Sequence, residues 1–86
     1  MPEISRFFGI VIQMYFNDHN PPHFHVRYGS QRALVAIETF SVLEGWLSPR
    51  ALSLVTEWAS EHRAELKENW NLARAETPLR PIAPLE

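Results

Sequence analysis

Residues 23–38 read HFHVRYGSQRALVAIE, and they predict the central hairpin from which the rest of the fold follows. Apolar and polar side chains alternate on both sides of Gly29-Ser30, as in two strands that each turn one face toward a core. Gly29 supplies the positive φ that the first position of a II′ turn requires, so the stretch forms a hairpin. The register of this hairpin places Phe24 opposite Val35.

In the same register Val26 faces Ala33, and both side chains point toward the core. The alternation places His23, His25 and Arg27 on the other face of the strand. The sequence therefore predicts one strand that contributes both to the core and to a polar surface.

Further strands extend the hairpin on both sides. Every second residue is apolar within Ile4–Phe16, which predicts one long N-terminal strand. The recurring residues are Phe8, Ile10, Ile12, Met14 and Phe16. A turn near Thr39–Ser41 leads into a strand over Val42–Trp46, so we expect a meander of about four antiparallel strands.

A single long helix follows the strands. Ser48 provides a hydroxyl cap, and Pro49 suits the first helical position. Apolar residues at spacings of three and four predict an amphipathic helix that runs to about Arg74. The fold class is α+β: residues 1–76 form one domain, and the proline-rich tail, residues 77–86, is extended and docks on that domain.

The composition is that of one small globular domain. Of the 86 residues, 45% are hydrophobic and none is cysteine, so disulfides and thiolate zinc sites are excluded. The net charge of −2 argues against nucleic-acid binding through an overall positive field, although a local basic patch is compatible with it. No apolar run has the length of a membrane span or the pattern of a signal peptide, so we expect a cytoplasmic protein.

The histidines are concentrated in one segment, with three of the four between His19 and His25. His23 and His25 on one strand point the same way, which supplies two ligands of a metal site. His19 or Asp18 adds a third ligand to a divalent cation in this interpretation. In the simplest alternative the site has no cofactor, and the imidazoles hydrogen-bond the loop backbone.

Acid–base chemistry is a third interpretation of the same cluster. His19, His23 and His25 are then candidate catalytic residues, because imidazole titrates near neutral pH. Arg27 adds a fixed positive charge that can hold a phosphate group. The wider binding set consists of Asn17, Asp18 and Arg32.

A separate candidate surface lies on the helix. Glu57, Glu61 and Glu65 form a like-charged stripe at a spacing of four residues, which favours a partner of opposite charge. We expect Trp46 to lie in the core together with the other two tryptophans, because half-buried or buried aromatic residues dominate core packing.

Two segments resemble a bacterial protein family. They are ISRFFG at residues 4–9 and MYFNDHNPPHFH at residues 14–25, and they are similar to the family called domain of unknown function 4160. The similarity continues through Glu57-Trp58 and Asn69-Trp70 to the C-terminal end. The resemblance implies a small prokaryotic protein, commonly encoded beside a short protein of domain of unknown function 2442, with the three clustered histidines as signature residues.

Two functions follow as expectations. The first is an interaction module, one half of a toxin–antitoxin-like or regulatory pair whose partner is that second small protein. The second is a small phosphodiesterase or ribonuclease, either metal-independent or with a histidine-bound metal, that acts on RNA or another phosphate ligand. Direct DNA binding is disfavoured because the sequence has no helix-turn-helix pattern.

Overall fold

A computed structural model describes residues 3–86 of the chain, which form one antiparallel sheet and two helices. The elements are β1 (Glu3–Phe7), β2 (Ile10–Gln13), β3 (His23–Tyr28), β4 (Gln31–Ala36), β5 (Val42–Trp46), α1 (Pro49–Glu61) and α2 (Arg63–Arg74). The strands lie side by side in chain order. The α+β class is therefore confirmed, and the first two residues of the predicted domain lie outside the described part of the chain.

The predicted number of four strands is wrong, because the N-terminal stretch folds back on itself. Phe8 and Gly9 have φ values of 50° and 81°, and they form the turn that pairs Phe7 with Ile10. The apolar alternation of the sequence runs through this turn without a break, since Phe8 is apolar although 59% of it is exposed. The continuous pattern therefore concealed the boundary between two strands.

The central hairpin has the predicted register. Phe24 pairs with Val35 and Val26 pairs with Ala33, and all four side chains are buried in the core. Gly29 has a φ of 60° in the connecting turn, as the sequence required. This register fixes which residues of β3 face away from the core.

The two helices cover one face of the sheet, where Phe24 and Phe7 contact Trp58 of α1 at ring-centroid distances of 6.0 and 5.4 Å. The other face, which we call the open face, carries two rows of side chains. They are Arg6, Val11, Arg27, Arg32 and Trp46 in the first row, and Glu3, Gln13, His25, Leu34 and Glu44 in the second.

The placement of Trp46 in the core is wrong, because 61% of this residue is exposed. It pairs with Arg32 on the edge strand β5, and so it lies on the open face. The neighbouring Gly45 has a φ of 83°, and a Cβ atom there would lie 2.1 Å from the carbonyl oxygen of Arg32. Only glycine therefore allows β5 to approach β4 this closely.

The single predicted helix is also wrong, since His62 separates α1 from α2 with a φ of −127°. Its Nδ1 lies 2.5 Å from Oε1 of Glu65 in the first turn of α2. The predicted acidic stripe is therefore divided: Glu57 and Glu61 belong to α1, whereas Glu65 belongs to α2 and has an imidazole partner. The start of α1 is as predicted, with Ser48 Oγ accepting the Ala51 N–H at 3.3 Å.

The proline-rich tail packs against the body of the domain. Ile82 and Leu85 are buried, and the Ile82 N–H donates to the carbonyl of Ile4 at 2.8 Å. The indole N–H of Trp58 donates to the Ala83 carbonyl at 2.8 Å. Neither helix in residues 3–86 has the length and apolar character of a membrane span.

Candidate functional site

The carboxylate of Asp18 is the centre of the histidine cluster. It lies in the loop between β2 and β3, where its Oδ1 accepts the backbone N–H of His19 at 2.9 Å. Its Oδ2 lies 2.8 Å from Nε2 of His25 and 3.1 Å from Nε2 of His23. One carboxylate oxygen therefore meets two imidazoles from the same strand, which the alternation along β3 directs the same way.

His23 is the innermost of the three histidines. Its side chain has no exposed surface, and its ring lies 5.3 Å from the ring of Trp70 in α2. Its Nδ1 lies 2.8 Å from the carbonyl oxygen of Pro21. Strand alternation places His23 on the side of β3 opposite Phe24, and the contact with Trp70 of α2 helps to shield the imidazole from water.

His25 lies at the surface of the same cluster, on the open face. One quarter of its side chain is exposed, and the edge of its ring contacts Tyr15 at a centroid distance of 4.5 Å. The Tyr15 hydroxyl in turn lies 3.3 Å from Oε1 of Gln13. These neighbours hold the His25 ring in one orientation while leaving part of it open to a ligand.

His19 is the most accessible histidine of the segment, with 63% of its side chain exposed. Its Nδ1 lies 2.9 Å from Oδ1 of Asp18, the oxygen that does not contact the other two histidines. The ring lies 4.9 Å from that of His23. Asp18 therefore orients the His19 ring, which lies on the exposed, outer side of the cluster.

Asp18 is held in its ionised form. Partial burial acts to raise the pKa of its carboxyl group, but the hydrogen bond from His25, the hydrogen bond from the His19 N–H and the electrostatic interactions with His23 and His25 outweigh it and lower the pKa. A carboxylate is the form of this side chain that binds a cation.

Asp18, His23 and His25, which we call the Asp18 centre, offer three ligand atoms that all lie within 4.8 Å of one another. Two atoms that bind one zinc ion tetrahedrally at about 2.0–2.2 Å lie about 3.3–3.6 Å apart. The separations of 2.8 and 3.1 Å from Asp18 Oδ2 are those of hydrogen bonds, so these atoms would move apart by roughly half an ångström to take up the ion. The third ligand in this arrangement is the carboxylate of Asp18, with His19 outside the set.

Arg27 and Arg32 extend this site along the open face. They are directly paired across β3 and β4, and Arg27 follows His25 by two residues on the same face. Alternate residues of a strand are about 7 Å apart, so the backbone position of Arg27 lies about that distance from His25 of the Asp18 centre. Among the ion pairs of residues 3–86, none includes either arginine.

The other predicted binding residues are engaged elsewhere. The side-chain N–H of Asn17 donates to Oε2 of Glu76 at 2.7 Å, and its backbone N–H donates to the carbonyl of Ala73 at 3.3 Å. Asn17 therefore ties the loop to the end of α2. Glu57, Glu61 and Glu65 lie on the two helices, outside the loop and strands that carry the histidine cluster.

Two contributors to the cluster were not identified from the sequence. The Pro21 carbonyl is a backbone group, and its contact with His23 depends on the fold of the loop. Trp70 matches the apolar spacing of a helix, so its sequence context predicted core packing and gave no indication that it covers an imidazole. Neither contact has a signature in the residue pattern.

Comparisons with known proteins give a family and nothing closer. Searches of curated proteins and of solved structures found no match. One family model, described as Domain of unknown function (DUF4160), matches residues 9–71 and so includes the loop, the Asp18 centre and most of both helices. Because this match spans most of the 86 residues, the chain belongs to the family of domain of unknown function DUF4160.

Proposed function

We propose that this protein is a metal-dependent phosphodiesterase whose catalytic metal binds at the Asp18 centre. The observation that carries the proposal is the convergence of three ligand atoms beside two arginines that form no ion pair within residues 3–86. Two imidazoles and one carboxylate form a typical ligand set for a catalytic zinc or a similar divalent ion.

The hydrogen-bond pattern of His23 supports a cation at this position. A carbonyl oxygen only accepts, so Nδ1 of His23 must donate its proton to Pro21. Nε2 of the same ring then faces a carboxylate oxygen, which requires either a second proton on a fully buried ring or a cation between the two groups. A bound metal would accept one lone pair from Nε2 of His23 and one from the Asp18 oxygen, so the ring could stay neutral.

The remaining contacts of the Asp18 centre have the character of a metal site's outer shell. Metal-binding histidines commonly donate their other N–H to a backbone carbonyl, as His23 does to Pro21. Oδ1 of Asp18 is occupied by the His19 N–H, which orients Oδ2 toward the two imidazoles. Since His25 is partly exposed, the side of the centre facing the open face is available to water and substrate.

The chemistry proposed for this arrangement is hydrolysis of a phosphodiester. A divalent ion held by Asp18, His23 and His25 would polarise the phosphoryl group and lower the pKa of a bound water, while Arg27 and Arg32 bind non-bridging oxygens. The water would give one proton to solvent as its oxygen bonds to phosphorus, and the bond from phosphorus to the leaving alcohol oxygen would break. His19, exposed and steered by Asp18, is the group placed to give the leaving alcohol its proton.

The test is hydrolysis of bis(para-nitrophenyl) phosphate by the full chain, with metal content measured on the same samples. We expect activity with Zn²⁺ or Mn²⁺, none after chelation, and none in His25→Ala. Arg27→Ala should retain metal but lose about 10- to 100-fold in rate, as expected for a charged hydrogen bond. Arg50→Ala, which removes an exposed arginine of α1, is the control. Hydrolysis that survives both chelation and His25→Ala would reject the proposal.

The interaction-module function stays a prediction. The acidic stripe that motivated it is divided between two helices, and Glu65 has an imidazole partner. Co-purification with the neighbouring small protein of domain of unknown function 2442, using the full chain and a Glu57→Lys, Glu61→Lys variant, tests it. A complex that forms with the wild type and is lost in the variant would support a role for the acidic surface.

A further inference from the structure

We propose that the open face binds single-stranded RNA, with phosphates on Arg27 and Arg32 and a base stacked on Trp46. This inference rests on the proposed function, because it names the substrate class of the Asp18 centre. It is carried by a different set of residues, the row that crosses β3, β4 and β5.

The two arginines are the first observation. They occupy directly opposed positions on neighbouring strands, where like charges destabilise the pair. No carboxylate within residues 3–86 forms an ion pair with either one. A bound phosphate relieves this repulsion and accepts the planar, forked donors of guanidinium groups.

Trp46 is the second observation. It is the most exposed of the large hydrophobic residues, at 61%, and it stands next to Arg32 in the same row. Gly45 fixes its position, because the close approach of β5 to β4 depends on that residue. An exposed indole beside cationic groups is the combination on which bases of single-stranded nucleic acids stack.

The spacing connects this surface to the Asp18 centre. Neighbouring strands are about 4.8 Å apart and alternate residues about 7 Å, which places Trp46 about 12 Å from His25 along the diagonal of the face. A strand whose base stacks on Trp46 can therefore pass both arginines and present a phosphodiester to the Asp18 centre. The two rows of the open face belong to strands of residues 3–86 and include no helix that could enter a duplex groove, which favours a single strand.

The charge distribution permits RNA binding despite the negative net charge. Four of the glutamates, Glu57, Glu61, Glu65 and Glu68, lie on the two helices and outside the two rows of the open face. On the open face Glu3 is paired with Arg6 at 2.8 Å, and Glu44 is the other carboxylate in the two rows. A protein strand added to the edge of β5 would use backbone groups and leave the arginine pair uncompensated, so RNA is the occupant that fits best.

The experiment is fluorescence anisotropy of a labelled short oligouridine with the full chain in a metal-free, chelated buffer, where binding is measured without cleavage. We expect saturable binding that weakens steeply as salt rises. Arg27→Ala, Arg32→Ala and Trp46→Ala should each weaken it by about tenfold, whereas Trp46→Phe and the control Arg50→Ala should bind like the wild type. Circular dichroism of each variant verifies that it is folded.

The outcomes separate this inference from the proposed function. Oligouridine binding without hydrolysis of the nitrophenyl ester would reject the phosphodiesterase and keep the RNA surface. Hydrolysis of that ester without oligouridine binding would reject the RNA surface and keep the enzyme. Equal affinity for oligodeoxyuridine would overturn the choice of RNA, and a Trp46→Ala variant that binds RNA normally while losing a protein partner would assign the face to protein.

Discussion

The two faces of the sheet differ in what holds their side chains in place. On the covered face, Phe24, Val26 and Val35 are fixed by apolar packing against the helices. On the open face of the same strand, His25 lies 2.8 Å from Asp18, whereas Arg27 forms no ion pair within the described residues 3–86. The alternation of residues on β3 therefore places core-packing side chains on one face and the candidate site residues His25 and Arg27 on the other.

Truncation of the covered face should have the largest effect on stability. Phe24 is fully buried and contacts Trp58, so Phe24→Ala leaves a cavity and should lower the free energy of unfolding by about 3–5 kcal/mol. Arg32→Ala, on the opposite face of the neighbouring strand, should change it by less than about 0.5 kcal/mol. Urea denaturation followed by tryptophan fluorescence measures both, and similar losses for the two variants would contradict the assignment of faces.

Alanine substitutions at Gly45 and Gly29 test how closely β5 approaches β4. Gly45→Ala places a Cβ atom 2.1 Å from a backbone oxygen at a φ of 83°, so it should lower stability by at least about 2 kcal/mol. Gly29→Ala has a similar positive φ but no atom within 4 Å of the new Cβ, so the cost should stay near 1 kcal/mol, roughly the backbone penalty alone. Denaturation midpoints of the two variants give the comparison. Equal costs would show that the approach of β5 to β4 is looser than described.

Removal of buried His23 and of partly exposed His25 should change stability by amounts that differ less, with the larger loss at His23. In chelated buffer His23→Ala should lower the free energy of unfolding by about 2–3 kcal/mol, because it removes two hydrogen bonds and opens a space against Trp70. His25→Ala should lower it by about 1 kcal/mol. Both variants should lose the metal. Chemical denaturation with and without Zn²⁺ separates the two effects, and the reverse order of stability would contradict the burial of His23.

The smallest effect is expected outside both faces, at the exposed pair of Glu38 and Lys67, whose charged atoms are 2.8 Å apart. The hydrogen bond from Lys67 lowers the pKa of Glu38. A depressed carboxyl pKa contributes stability above the unfolded-state pKa, and that contribution is lost as the pH falls through the folded-state value. Glu38→Gln should therefore lower stability slightly at neutral pH, less at high salt, and the difference from the wild type should vanish as the pH falls below the folded-state pKa of Glu38. A large change at neutral pH would show that the pair is stronger than its exposure indicates.

Sequence patterns predicted what depends on local alternation. The pairing of Phe24 with Val35, the turn at Gly29 and the cap at Ser48 all depend on residues close together in the chain. The break at Phe8-Gly9 was missed because apolar residues continue on both sides of it. The break at His62 was missed because helical spacing continues as well.

The sequence predicted which residues form the candidate site, but it did not predict how they are arranged. The density of histidines pointed to the segment, and strand alternation placed His23 and His25 together. That Asp18 meets both of them, that Trp70 covers one, and that Trp46 is exposed depend on how the loop, α2 and β5 pack. Asp18 is only five and seven residues from the two histidines, but their meeting depends on the fold of the loop, and the Trp70 contact joins residues far apart in the chain.

Isothermal titration of the full chain with Zn²⁺ measures whether the Asp18 centre binds a metal ion. We expect one ion bound per chain, with the site lost in His25→Ala and in Asp18→Asn. His62→Ala, which removes the one histidine outside the cluster, should bind like the wild type. A protein that binds no ion, or binds it equally well without Asp18 and His25, would contradict the metal centre.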